Sequence, residues 1–514
     1  MGSLLRITAW AAALLVLAVV GNALIQLIPK GKSEPPRVFH WIPIVGNAVQ
    51  YGLDPYKFFV ECRAKYGDIF TFTLFGKQIT CYLSVSGNDF VLNGKHADLN
   101  AEEVYSPLTT PVFGADVVYD CPNAKFMEQK RFIKFGLTRP AFESYVPLIE
   151  HEVRGYVATE PSLQGREGTV DVARAMAGIT ILTAARTLQG EEVRAALSAE
   201  FAELYHDLDL GFNPVNFIVP WAPLPHNRRR DAAHAKMRAV YTDIIRKRRE
   251  GKMLEGQDMI WNLMNCTYKD GSPLLDHEIA HLMITLLMAG QHTSSSASSW
   301  IMLHLASRSD VTEELYQEQL RVLGEPGNPQ SGDRTLPPLQ YSDLEKLPLL
   351  QNVVKETLRA HSSIHSVMRK ATRTIAIPGT EFVIPSGRVM LASSTVTARS
   401  EEHFTDAHEW NPHRWDTSSK NPGEDEDEDA RDETAVSRGA RSPYLPFGAG
   451  RHRCIGEKFA YVNLGAIVAT LVRDFRFYSL REDGRLPDTD YASMFSKPKQ
   501  PTLVRWERRA SVKV

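Results

Sequence analysis

The sequence is poor in cysteine and carries no surplus of charge of either sign. Five cysteines in 514 residues, Cys62, Cys81, Cys121, Cys266 and Cys454, are an odd number without a Cys-x-x-Cys pair. That argues against a disulfide framework and a zinc site, and for a reducing compartment around the body of the protein. Lys plus Arg total 59 against 61 for Asp plus Glu, so global charge points to no nucleic-acid partner. No Gly-x-Gly-x-x-Gly dinucleotide fingerprint and no cysteine cluster of iron–sulfur type occur. A redox enzyme of this sequence would therefore draw its electrons from a separate protein. Length alone allows two or three domains, and it equally allows one large enzyme body.

What is present begins with an apolar stretch. Ile7 to Ile28 contains no charged residue, and as a helix it would reach roughly 33 Å, enough to cross a bilayer. Lys30, Lys32 and Arg37 follow it, against Arg6 on the other side, so the positive-inside rule leaves the bulk of the chain in the cytosol. A cleaved signal peptide is the competing reading, but no small-x-small cleavage site precedes the basic cluster. Pro35-Pro36 and Trp41-Ile42-Pro43-Ile44 stiffen the next segment. The organisation expected is an anchor over 1–29, a proline-rich hinge over 30–46 and one catalytic body over 47–514. Within that body the acidic block at 423–433 repels itself and is expected to be a disordered insertion.

Helical periodicity recurs along the body, with a minority of β-rich pieces. Asp54 to Tyr66, Asn123 to Leu137, Val170 to about Asp209, Arg228 to Glu250, Asp276 to Ser307, Leu347 to Ala360 and Glu457 to Phe475 read as helices, the charged 228–250 segment as an exposed one. Ile69–Phe75 and Ile79–Leu83 flank Gly76-Lys77-Gln78 as a hairpin, and short strands are expected between Ile375 and Val396. Tyr105 to Tyr119, rich in Thr, Pro and Val without a sustained period, reads as a loop. The 276–307 helix is long enough for a second membrane span, but Gln291-His292-Thr293-Ser294-Ser295-Ser296 at its centre is costly in lipid. The expected class is mainly α with small antiparallel sheets.

Four motifs carry chemistry. Phe447-Gly448-Ala449-Gly450-Arg451-His452-Arg453-Cys454-Ile455-Gly456 sets one cysteine between glycines, just ahead of a helix. A thiolate there meets the positive end of the helix dipole and becomes a better metal ligand. Ala289-Gly290-Gln291-His292-Thr293 places small residues one turn before a hydroxyl. Glu356-Thr357-Leu358-Arg359 is an i, i+3 pair on a helix, and Pro412-His413-Arg414-Trp415 supplies a further arginine. Taken singly, these read more plainly as a buried cysteine, close helix packing and a surface ion pair. In this order they resemble the cytochrome P450 monooxygenases.

That resemblance implies a P450 fold behind one transmembrane helix, with haem b on Cys454 as axial thiolate and O2 as co-substrate. It sets Phe447, Gly448, Gly456, Ala289 and Gly290 against the haem and makes Glu356, Arg359 and Arg414 a buried structural set. Most members have an acid before the groove threonine; His292 instead is similar to the fungal sterol 14α-demethylases, and so are the segments around Tyr105, Phe113, Tyr119 and Lys130. The closer resemblance implies that Thr293, His292 and Asp209 deliver protons. It also implies that Tyr105, Tyr119, Lys130, Arg369 and His452 hold the haem propionates, and that Tyr105, Phe113, Tyr119, Phe212 and Met494 contact sterol. The implied reaction is removal of the 14α-methyl group of lanosterol or eburicol as formate, in three O2-dependent steps of ergosterol synthesis. The implied partner is an NADPH-dependent P450 reductase, and the implied location the endoplasmic reticulum membrane, single-pass and facing the cytosol. The nearest rival is the same fold oxidising another lipid or steroid; a haem-thiolate isomerase and a non-catalytic haem carrier are more distant.

Overall fold

The structure, a computed structural model, describes residues 2–28, 31, 33–196, 199–217, 219–251, 258–326, 334–416, 441–481 and 483–509. The acidic block expected at 423–433 lies outside the described residues. The chain divides into two compact units, Met1–Tyr105 with Ile364–Thr405 and Ser437–Arg453, and Ser106–Ser363 with Asp406–Val436 and Cys454–Val514.

The first unit is built on a five-stranded sheet in the order Ile69–Leu74, Lys77–Tyr82, Val389–Ala392, Val367–Ala371, Leu99–Asn100. Its pairs are antiparallel except Lys77–Tyr82 with Val389–Ala392, which run parallel. The expected hairpin is present, its turn one residue early at Phe75-Gly76, where both residues have positive φ (49° and 76°). That is the conformation a tight two-residue hairpin requires. Phe70 and Phe72 alternate onto the face that meets Phe58 and Phe59 of helix Pro55–Tyr66. Burial there pushes the Cys62 thiol up to about 12 and the Cys81 thiol well above its usual value, which makes both inert.

The apolar N-terminal stretch forms the helix Gly2–Leu27, of which Thr8–Leu27 is long and apolar enough to cross a membrane. The proline-rich segment after it lies along the edge of the sheet. Thr71 donates to Pro36 O and Val38 donates to Thr71 O, both at 2.8 Å, and Asn47 donates to Thr73 O at 2.7 Å.

The second unit surrounds the helix Asp276–Ser307, which runs over the residues expected from sequence. Helices Val172–Ala184, Pro225–Arg249 and Glu457–Asp474 pack against it. Its serines are satisfied inside the body: Ser298 and Ser299 donate to the carbonyls of Ser294 and Ser295, and Ser296 to Ser496 O at 2.5 Å. This helix is therefore a core element. An antiparallel sheet of Phe475–Ser479, Leu503–Arg508 and Glu167–Asp171 closes over the buried Trp506.

Three expectations need correction. Tyr105 to Phe113 is not loop but the larger part of a helix, Glu102–Phe113, with Pro107 and Pro111 inside it. The prolines hid a burial pattern, Leu108, Thr109, Val112 and Phe113, that follows a helical face, and Asn100 Oδ1 caps the start by accepting from Glu103 N at 2.8 Å. The stretch from Val170 to Asp209 is a strand followed by several helices. Gly190, at φ 97°, breaks it where a Cβ would lie 2.5 Å from Asp258 Oδ2. The 225–249 helix is not wholly exposed: Met237, Tyr241 and Ile245 enter the core, and Arg248 is buried between Asp258 and Glu192.

Candidate active site

In the second unit Cys454 is the exposed cysteine, whereas Cys62, Cys81 and Cys121 are buried and Cys266 is partly so. It stands three residues before the helix Glu457–Asp474, whose N-cap position is Gly456. A Cβ on Gly456 would sit 3.8 Å from the Cys454 Sγ, in ordinary contact with it. Lys130, on the helix Asn123–Ile133, is held below the usual lysine range by burial, which the nearby Cys454 thiolate partly offsets. Of the basic run, Lys125 is occupied by Glu278 at 2.5 Å, while Arg131 and Lys134 are exposed.

The groove motif lies at the middle of the long helix. Thr293 donates its hydroxyl to Ala289 O at 2.8 Å, and Ser363 Oγ donates to Thr293 O at 3.2 Å. An added Cβ on Gly290 would approach Leu188 Cδ1 to 3.3 Å, so this glycine serves close helix packing. His292 Nε2 lies 3.4 Å from Asp209 Oδ1, on the helix Ala199–Asp209. The imidazole is sandwiched between Tyr205 and Phe495, with ring centroids 4.9 and 5.2 Å away. Burial holds its pKa below the usual histidine value, against the pull of the Asp209 carboxylate. Neutral at pH 7, the ring can accept a proton at one nitrogen and release one at the other.

Phe113, Phe212 and Met494 come together. Phe113 and Phe212 meet edge to face at 5.7 Å, Phe212 meets Phe495 at 5.4 Å, and Met494 N donates to Phe212 O at 3.2 Å. Phe495 thus joins the apolar wall to His292, a link that sequence reading missed. Its signal was the aromatic residue beside Met494. Tyr205 was also missed: it lies one turn before Asp209 on the same helical face and donates to Gln291 Oε1 at 2.9 Å. Tyr119 sits in a short 3-10 turn, Val118–Asp120, its ring 5.8 Å from that of Phe126.

Glu356 and Arg359 form a fully buried bidentate pair at 2.8 and 2.9 Å. Arg359 also donates to Ala407 O and Glu409 O, while Glu356 accepts from Arg414 Nε, Trp415 Nε1 and Asn411 N. The motif expected as a structural set is one connected network in which both carboxylate oxygens are hydrogen-bonded.

In the first unit Tyr105 is half-buried and its hydroxyl accepts from Met368 N at 2.9 Å. Burial pushes the phenol's pKa up, and the Arg369 charge acts against that. Arg369 is 4% exposed and donates to Met368 O at 2.7 Å; among the described residues no carboxylate pairs with it. A buried guanidinium with no anion of its own fits a haem propionate. His452 Nε2 lies 4.0 Å from Glu102 Oε1, and His96 lies on that carboxylate's other side. Gly448 and Gly450 adopt φ of 66° and 65°, and a Cβ on Gly450 would fall 2.4 Å from Leu92 O. The loop ahead of the cysteine therefore needs its glycines for conformation and, at 450, for space. Phe447 precedes the first of them.

An exposed cysteine at a helix start, a glycine-shaped loop before it, a groove threonine and a buried Glu–Arg–Arg network define a haem-thiolate protein. The sequence model for cytochrome P450 matches residues 36–506, and the chain belongs to that family, whose members use a haem-thiolate iron and O2. It is 63% identical to a sterol 14-alpha demethylase of Gibberella zeae over 98% of both chains. It is 60% identical to a sterol 14-alpha demethylase of Aspergillus fumigatus over 99% of this chain and 98% of that one. With an eburicol 14-alpha-demethylase of Penicillium italicum it shares 56% identity over 99% of this chain and 98% of that one. Among solved structures, retinoic-acid-bound cyanobacterial CYP120A1 superposes with a TM-score of 0.74 at 20% identity, covering 93% of this chain and 100% of that one, which is a likeness of fold.

Proposed function

We propose that the protein is a membrane-anchored sterol 14α-demethylase, acting on lanosterol or eburicol in ergosterol synthesis. The observation that carries this reading is His292 in place of the usual acid before Thr293, 3.4 Å from Asp209 and stacked on the aromatic wall of Phe495, Phe212 and Phe113. Near-full-length identity to proteins named for that activity supports it.

When bound, the haem with its thiolate ligand activates O2. The chain's residues do the rest. Cys454 would supply the thiolate; Phe447, Gly448 and Gly456 shape the loop around it, and Ala289 and Gly290, as the resemblance implies, would lie against the haem, although Gly290 also serves helix packing against Leu188. As the resemblance implies, Tyr105, Tyr119, Lys130, Arg369 and His452 would take the propionates. Phe113, Phe212 and Met494, with Tyr105 and Tyr119, orient the flat sterol. The chemistry that the haem would supply consumes protons near Thr293, whose own hydroxyl is committed to Ala289 O, so a further supply is needed. His292 passes protons toward Thr293, and Asp209, 22% exposed, refills His292 from solvent. Electrons come from NADPH through an external reductase, for which exposed Arg131 and Lys134 offer cationic contacts. The helix Thr8–Leu27 holds the protein in the endoplasmic reticulum membrane with its body in the cytosol.

Titration of the purified haem protein with eburicol or lanosterol, followed at the Soret band, tests the substrate assignment. The reading expects a saturable low-to-high-spin shift at micromolar sterol. A shift with fatty acids but not with these sterols would transfer the reading to the lipid-hydroxylase rival.

A further inference from the structure

The anchor helix is not free of the body. Asn22 Nδ2 donates to His40 O at 2.9 Å and to Trp41 O at 3.2 Å, and Gln26 Nε2 donates to His40 O at 2.8 Å. In return His40 N donates to Gln26 Oε1 at 3.0 Å. Asn22 and Gln26 are four apart and so share one helical face. They are the two amides in the last turns of an otherwise apolar span, half-buried where their neighbours Leu24, Ile25 and Leu27 are exposed. Asn22 lies five residues before Leu27, about 7 Å below the helix end at 1.5 Å per residue. The segment that it grips is held beside the membrane-spanning part of the helix.

That segment is apolar and turned outward. Phe39, Trp41, Ile42 and Ile44 are 36%, 66%, 49% and 75% exposed. Ile44 has φ 63°, a left-handed conformation that β-branched residues avoid. A tight turn, Val45 N to Pro43 O at 2.6 Å, holds it there, so the backbone bears strain with an isoleucine side chain in the open. The other side of the same segment is fixed to the sheet through Val38 and Asn47.

We propose that Asn22 and Gln26 clamp the proline-rich segment to the anchor, so that Phe39, Trp41, Ile42 and Ile44 lie in the cytosolic leaflet and set the body's orientation on the bilayer. The segment then works as a rigid bracket, in place of the hinge expected from its prolines. The inference rests on the reading of Thr8–Leu27 as a membrane anchor. The occupant is lipid: the patch is continuous with the span through the four hydrogen bonds, and it has the Trp-plus-aliphatic composition of a membrane interface. The clamp also gives hydrogen-bond partners to two amides that would be costly at that depth.

The test uses the full-length haem protein in phosphatidylcholine nanodiscs, with a nitroxide on Ile44→Cys and, as a control, on Lys77→Cys, each in a Cys266→Ser background. Carbonate extraction of the unlabelled protein reports the anchor separately. The nitroxide at 44 is expected to collide several-fold more often with O2, relative to a water-soluble nickel complex, than the one at 77. That places it roughly 5–10 Å below the headgroup surface. Asn22→Leu combined with Gln26→Leu should leave the protein resistant to carbonate yet make the label at 44 mobile and nickel-accessible. A carbonate-resistant protein with equal nickel access at 44 and 77 overturns the bracket and spares the anchor; release by carbonate overturns both. Shielding at 44 from O2 and nickel alike means a protein partner or second copy, and overturns the lipid assignment. An amide double variant with unchanged depth overturns the clamp.

Discussion

Replacing Asp209 with asparagine keeps the shape of the side chain and removes only its ability to take up and pass on a proton. The residue is 22% exposed and lies 3.4 Å from an imidazole that burial keeps neutral at pH 7, so the contact is not a buried ion pair. Its loss is expected to change stability by less than about 1 kcal/mol. Turnover is different: a general-acid link contributes 10²-fold or more, about 2.7 kcal/mol on the barrier. Asp209→Asn should therefore lower sterol turnover per haem by about 10², with the sterol-induced spin shift retained. His292→Ala should show the same kinetic loss together with a structural one. It removes the ring from between Tyr205 and Phe495, two stacks of about 0.5–1.5 kcal/mol each, and opens a cavity, for roughly 2–4 kcal/mol in all. The double variant should turn over no more slowly than His292→Ala, because links of one relay are not additive. The assay is formate released per NADPH consumed in a reconstituted system, beside urea denaturation of each variant. Near-normal coupled turnover in Asp209→Asn would refute the relay and leave His292 as a packing residue.

Arg359→Met should cost about 3–5 kcal/mol, because it removes the bidentate partner of a fully buried Glu356; chemical denaturation against wild type measures it. His304 hydrogen-bonds His361 at 2.9 Å, and burial pushes its pKa down to about 3. The unfolded chain then binds the extra proton between pH 6.5 and about 3, so stability present above pH 6.5 falls on acidification, by about 2 kcal/mol at pH 5. Denaturation of wild type and His304→Gln at pH 7 and pH 5 should show the wild type losing about 2 kcal/mol more than the variant. Gly450→Ala should lose folded haem protein, since its Cβ would fall 2.4 Å from Leu92 O, whereas Gly448→Ala, with open space around it, should cost only about 1–2 kcal/mol for its φ of 66°; thermal melts and haem content distinguish them.

Most of the secondary structure could be read from periodicity. The Asp276–Ser307 helix and the 69–82 hairpin are where their apolar patterns put them. The failures have particular causes. At 102–113 two prolines outweighed a helical face that only burial reveals, and at 190 one glycine in a left-handed conformation cut an apparently continuous helix. Motifs carried the chemistry because Cys454, Thr293 and the Glu356 network are local patterns of few residues. Contacts between distant segments were not legible. Nothing in sequence brings Phe495 onto His292 across some two hundred positions, or folds Trp41 back onto Asn22. Those contacts depend on how helix faces and segment ends meet in three dimensions.

The central claim is that Cys454 makes this a thiolate-ligated enzyme that removes the sterol 14α-methyl group. It is tested most directly with lanosterol or eburicol isotopically labelled in that methyl carbon, supplied to the reconstituted protein with a P450 reductase, NADPH and O2. The account predicts labelled formate and 14-desmethyl sterol in equal amounts from the wild type, and neither from Cys454→Ser, which should also lose the thiolate-type absorption of the reduced, CO-bound haem. Label remaining in a hydroxylated sterol with no formate, or product formation by the serine variant, would contradict it.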